Sequence, residues 1–122
     1  MDVRVTPLRD AGALPVLVAY DISNRDCSSQ SAGDASSPEA HKTWIRAFAA
    51  GIEGRKVAAI PKLDAVALTS CLSEAEKATR VALLKDAANV LEAQCNTATY
   101  VDSGYSTWFP PPRWPRACPS PA

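Results

Sequence analysis

Three aspartates carry the clearest chemical potential in this 122-residue chain. Asp26 lies in DISNRDC (residues 21–27), Asp64 in IPKLDAV (residues 60–66) and Asp102 in YVDSGYSTW (residues 100–108). Each follows or closes a short apolar run. Two carboxylates that face one substrate bond can divide acid and base work. Their shared negative field raises the pKa of one and keeps it protonated near neutral pH. Aromatic side chains accompany the carboxylates: Tyr20, Tyr105 and Trp108. Plainer roles fit the same residues. Asp64 could cap a strand-end loop, Arg25 and Asp26 could form a local ion pair, and Trp108 could pack the last strand. Only convergence of the three segments turns them into a site, so the elements that hold them decide.

Residues 14–20, LPVLVAY, are a continuous apolar run with Pro15 at its start, where a strand tolerates proline. Such runs suit buried parallel strands. Residues 21–37 turn polar and small, a long loop of the kind that often carries function. A helix follows, with Ser37 as N-cap and Pro38 at the first helical position. Trp44, Ile45, Phe48 and Ile52 share its buried face, and Gly54 caps its end. His41, near its start, reads as solvated. Residues 57–60 form a second strand. A second main helix starts at Ser73, where Ser73 and Glu76 make an S-x-x-E capping box. Val81, Leu84, Ala88 and Leu91 are its expected buried stripe. Residues 98–101 read as a third strand. Strand, helix, strand, helix, strand is the order of a parallel α/β sheet with right-handed crossovers. In such sheets chemistry gathers at the carboxyl ends of the strands. That rule brings Asp26, Asp64 and Asp102 to one rim. Residues 110–122, PPPRWPRACPSPA, cannot form a helix or central strand and read as an extended or disordered tail.

Composition narrows the function classes. Apolar residues make up 47% and charged residues 21%, as in an ordinary globular domain. Lys+Arg and Asp+Glu are 13 each, so no basic surface recommends nucleic acid as a partner. No apolar run approaches the roughly 20 residues that cross a bilayer. The first residues lack the apolar stretch of a signal peptide. The 4 cysteines, Cys27, Cys71, Cys95 and Cys118, form no CxxC pair, and His41 is the single histidine. A zinc site is therefore not expected, and no cofactor is implied. An even cysteine count permits disulfides, whereas a chain without an export signal would meet a reducing compartment.

The three segments resemble, in order, the active-site motifs of glycoside hydrolase family 6, the family of inverting cellulases. Its Y-[DN]-x-P-x-R-D-C pattern is similar to Tyr20, Asp21, Ile22, Ser23, Asn24, Arg25, Asp26 and Cys27, with Ser23 in place of proline. Its I-x-E-P-D-x-[LIV] pattern is similar to residues 60–66, with Lys62 and Leu63 in place of glutamate and proline. Its Y-[LIV]-D-A-G-H-[SA]-x-W pattern is similar to residues 100–108, with Ser103 and Tyr105 as departures. The resemblance spans residues 11–108.

The resemblance implies a partial, distorted parallel β/α barrel of about three strands and two main helices, with residues 1–109 as a partial catalytic domain. It implies hydrolysis of β-1,4-glucosidic bonds in cellulose, weak or lost in a chain of this length. Asp64 matches the general acid and Asp26 the carboxylate that raises its pKa. Tyr20 matches a tyrosine beside the sugar, and Ser31 a serine that holds the catalytic water. Arg25, Asp102, Tyr105 and Trp108 match the substrate-binding rim. Cys27 and Cys71 match a disulfide, and Cys95 and Cys118 are left as free thiols. Family members are usually secreted; the chain as it stands reads as cytoplasmic. Two other functions fit: a non-catalytic carbohydrate-binding remnant, and one part of a split enzyme completed by a separately encoded chain.

Overall fold

The computed structural model describes residues 2–22, 37–61, 65–66, 69–102 and 104. Its order is α1 (Asp2–Asp10), β1 (Val16–Ala19), α2 (Pro38–Ile52), β2 (Val57–Pro61), α3 (Glu74–Glu92) and β3 (Thr97–Thr99). The strands form one sheet in the order β1-β2-β3. Both pairs are parallel, with Ala19 opposite Pro61 and Ala59 opposite Thr99. This is the α/β architecture expected from the strand–helix alternation. The unforeseen element is α1, which joins the two main helices among the described residues.

Capping chemistry explains where the helices begin and end. Ser37 has extended backbone, and its hydroxyl accepts from Ala40 N–H at 3.1 Å, with Pro38 opening α2. Ser73 and Glu76 make the full capping box of α3. Ser73 N–H donates to Glu76 Oε2 at 2.8 Å, and Glu76 N–H donates back to Ser73 Oγ at 3.3 Å. α1 ends in a Schellman turn. Ala13 N–H reaches Leu8 O and Gly12 N–H reaches Arg9 O, both at 2.9 Å. Gly12 supplies the positive φ of 75° that this turn requires.

The main core lies between the sheet and its helices. Val5 of α1, Ile45, Ala49 and Ile52 of α2, and Ala87 and Leu91 of α3 pack with Ala19, Val57 and Ala59 of the sheet. Trp44 and Phe48 lean on this cluster, their ring centroids 5.4 Å apart. The opposite sheet face is largely open. Val16 is 62% and Val18 40% exposed, so β1 is not the doubly buried strand that its apolar run suggested.

Three further expectations are corrected. His41 is not solvated but 3% exposed. It lies four residues before Ile45 and opens the buried stripe His41, Ile45, Ala49, Ile52. On α3 the buried stripe is Arg80, Leu83, Leu84, Ala87 and Leu91, while Val81 is 65% exposed. Apolar residues occur around most of α3, so its sequence admits two registers. The one that buries Arg80 is the one formed. The third strand starts one residue earlier than expected, at Thr97, and leaves Tyr100 and Val101 exposed beyond it.

Candidate active-site rim

All three strands run the same way, so their carboxyl ends share one edge of the sheet. Tyr20–Ile22 leave β1 there, residue 62 follows Pro61 of β2, and Tyr100–Asp102 leave β3. The topology thus brings the ends that precede the three motifs to one rim.

Tyr20 is 41% exposed just beyond β1. Two residues on, Ile22 is fully buried and packs with Ala65, Leu83 and Leu84. This small second core ties the start of the 21–37 segment and the segment after β2 to the same face of α3. Asp102 is half-buried, and its Oδ1 accepts from Gly104 N–H at 3.0 Å. That side-chain turn bends the chain just beyond β3, with Gly104 at a φ of 80°. Arg80 is buried beneath the rim, and its Nη1 donates to Ala65 O at 3.5 Å.

A second charged group lies behind the rim, and sequence reasoning missed it. His41 and Asp21 interact electrostatically, as do His41 and Asp86. Burial pushes the His41 pKa below its ordinary 6.5, partly opposed by the two aspartates. Asp86 is gripped by Arg46 through two hydrogen bonds of 3.0 Å. That bond is the main cause holding the Asp86 carboxyl below its ordinary value. The four-residue step from His41 to Ile45 was the signal available for its burial.

Tyr20 and Asp102 are the proposed site residues that the structure describes. Asp64, Asp26, Ser31, Arg25, Tyr105, Trp108 and Cys27 lie outside the described residues, as does the segment 110–122. Cys71 is disulfide-bonded, with its partner outside the described residues. Cys95 is a free, exposed thiol. Among the described residues no group of His, Cys, Asp and Glu could hold a metal ion, and no helix is long and apolar enough to cross a membrane.

A parallel sheet with helices on one face, and an open rim at its carboxyl edge, defines a partial β/α barrel. Comparison with known proteins makes this specific. Residues 1–120 match the family model of glycosyl hydrolases family 6. Endoglucanase 1 of Streptomyces sp. (strain KSM-9) is 39% identical over 102 residues, which are 83% of this chain and 28% of that protein. Endoglucanase A of Thermobispora bispora is 35% identical over 112 residues, 90% of this chain and 25% of that protein. The solved endoglucanase Cel6 of Mycobacterium tuberculosis superposes with a TM-score of 0.81 at 34% identity, over 86% of this chain and 36% of that one. It was solved in complex with methyl-cellobiosyl-4-deoxy-4-thio-β-D-cellobioside. The chain belongs to glycosyl hydrolase family 6, and it spans between a quarter and a third of the length of these curated relatives.

Proposed function

We infer that this chain carries the general-acid side of a cleft that binds β-1,4-glucan and hydrolyses it with inversion. The observation that supports the reading most directly is the match of residues 1–120 to the family model. The thio-cello-oligosaccharide held by its solved relative supports glucan as the ligand. In this reading Asp64 protonates the leaving glycosidic oxygen. Asp26 supplies the negative field that keeps Asp64 protonated. Tyr20 lies against the sugar at the cleaved bond, Ser31 holds the attacking water, and Arg25, Asp102, Tyr105 and Trp108 contact the glucan. Inverting glycosidases hold their acid and base roughly 6.5–9.5 Å apart to admit that water. We assign the base to no residue of this chain. Glucan binding with slow or no turnover is therefore the expected behaviour of the chain alone. Cys27 is the proposed partner of Cys71, and a disulfide there suits an oxidising, extracellular setting.

Calorimetry with cello-oligosaccharides and reducing-sugar release from carboxymethyl-cellulose test the reading. Binding is expected, and any hydrolysis should vanish in Asp64→Asn while binding persists. A chain that neither binds nor hydrolyses overturns it. Hydrolysis undiminished in Asp64→Asn overturns the assignment of the acid.

The open sheet face favours a second reading, in which a separate polypeptide supplies further strands. Val16 and Val18 are exposed on β1, and neither β1 nor β3 has a second neighbouring strand among the described residues. Co-expression with the carboxyl-terminal part of a relative, followed by size exclusion, tests this. Co-elution with a gain in hydrolysis supports it, and separate elution removes it.

A further inference from the structure

Among the described residues β3 is the last strand both along the chain and across the sheet. Each strand lies beside the one before it, so a strand that continues this order lies beside β3. To pair there it needs the backbone N–H and C=O groups that β3 turns outward.

The chain already occupies the donors of that edge. Backbone groups along a strand point alternately to its two sides. Tyr100 N–H donates to Ala59 O of β2 at 2.9 Å, so the N–H groups of Thr99 and Thr97 point away from β2. Thr99 N–H donates to Glu92 Oε1 at 3.0 Å, and Thr97 N–H donates to Gln94 O at 3.0 Å. Both acceptors come from the short connection between α3 and β3. They differ in how easily they can leave. Gln94 O is backbone in the turn that opens β3, and losing it breaks that turn. Glu92 Oε1 sits at the end of an exposed side chain on the last residue of α3, and a change of rotamer releases it.

We propose that Glu92 is a removable plug on the β3 edge: its carboxylate stands in for the carbonyl oxygen of a further parallel strand, which docks on β3 by displacing it. The occupant is an extended strand from a separate polypeptide of this family. This chain spans 28% and 25% of two of its relatives, so such a polypeptide has ample further length to offer. The proposal rests on the reading in which a separate chain supplies further strands. The exchange is one hydrogen bond for another at the same N–H, with no covalent change. A bond to a carboxylate is roughly twice as strong as one between neutral groups. Displacement is therefore favourable only for a strand that also buries apolar surface, and the edge stays shut to solvent-exposed peptide.

Two measurements on the full chain test this. In amide hydrogen exchange, Glu92→Ala should speed exchange at Thr99 roughly tenfold, as expected for one lost charge-assisted bond. Thr97 should keep its protection, and Glu92→Gln, whose amide oxygen still accepts, should retain most of the protection at Thr99. In co-expression with the carboxyl-terminal part of a relative, Glu92→Ala should co-elute in larger share than the wild-type chain. Thr99 exchange unchanged in Glu92→Ala overturns the plug, whatever elutes. Co-elution of the wild-type chain that Glu92→Ala does not increase overturns the displacement. Faster Thr99 exchange with no co-elution by any variant overturns the separate-polypeptide reading, and strand docking with it.

Discussion

Ile22 and Ala65 bury side chains from two different strand ends against Leu83 and Leu84 of α3. Their place in the chain gives that small cluster its importance. Ile22 lies four residues before Asp26, and Ala65 directly follows Asp64. Shortening Ile22 removes contacts that neither segment can restore. Ile22→Ala is expected to cost about 2–5 kcal/mol, as large-to-small changes in packed cores do. Urea denaturation measures it, and a loss within error of zero would show that the cluster does not hold the rim. His41 makes a second prediction at this scale. Its folded pKa lies below the 6.5 of the unfolded chain, because burial disfavours the charged form. Between those values the unfolded chain holds more protons, so stability should fall as pH drops below 6.5. His41→Leu should flatten that part of the curve, which denaturation at a series of pH values reads directly. Of the motif aspartates, Asp26 and Asp64 lie outside the described residues, and the place of Asp102 just beyond β3 was legible because it follows an apolar run. The burial of His41 was not, because a single polar residue near a helix start reads as solvated unless its step to Ile45 is given weight.

Local chemistry decides the helix ends, and there the sequence was most legible. Ser37 with Pro38, and Ser73 with Glu76, cap α2 and α3 as their spacing predicts. Ser73→Ala removes one half of the capping box and should destabilise the chain by ~1 kcal/mol. Thermal unfolding checks this, and an unchanged midpoint would mean that packing alone holds the first turn of α3. Two features resisted the same reasoning. α1 contains Pro7, which forfeits one backbone bond and argues against a helix on propensity. Tertiary contact overrides that penalty: Val5 is buried in the core, and Thr6 Oγ1 accepts from Arg55 Nη1 at 2.9 Å. Arg55 also donates to Ile52 O and Gly51 O at the end of α2. Arg55→Met should therefore loosen α1 and α2 together, costing about 1.5–3 kcal/mol for lost charge-assisted hydrogen bonds. Hydrogen exchange across residues 2–10 and 47–52 would show both segments opening, and protection lost in only one would separate them. The register of α3 was the other miss. Periodicity alone favoured an all-apolar stripe, whereas the fold buries Arg80 beside Ala65. The partner of this buried guanidinium, the Ala65 carbonyl, comes from another segment of the chain, which a sequence pattern does not display.

At the scale of the whole molecule, the sheet has one face covered and one open. Helices cover the face of Ala19, Val57 and Ala59, while Val16, Val18 and Ala98 are exposed on the other face. Its two edges also differ. On β3, Tyr100 N–H turns inward to Ala59 O at 2.9 Å, and the Thr99 N–H is taken by Glu92 Oε1 at 3.0 Å. Glu92 thus blunts the β3 edge with a side chain from α3. β1 has no such cover among the described residues, and it carries the exposed Val16 and Val18. Unpaired strand edges beside apolar surface promote self-association. The chain is accordingly expected to associate at high concentration, chiefly through β1. Lysine on an edge strand opposes such pairing. Val16→Lys should shift sedimentation toward monomer, whereas Ala98→Lys on the blunted β3 side should shift it less. Equal effects would show that the open face, rather than the β1 edge, drives association. A wild-type chain that sediments as a single monomer at all concentrations would contradict both.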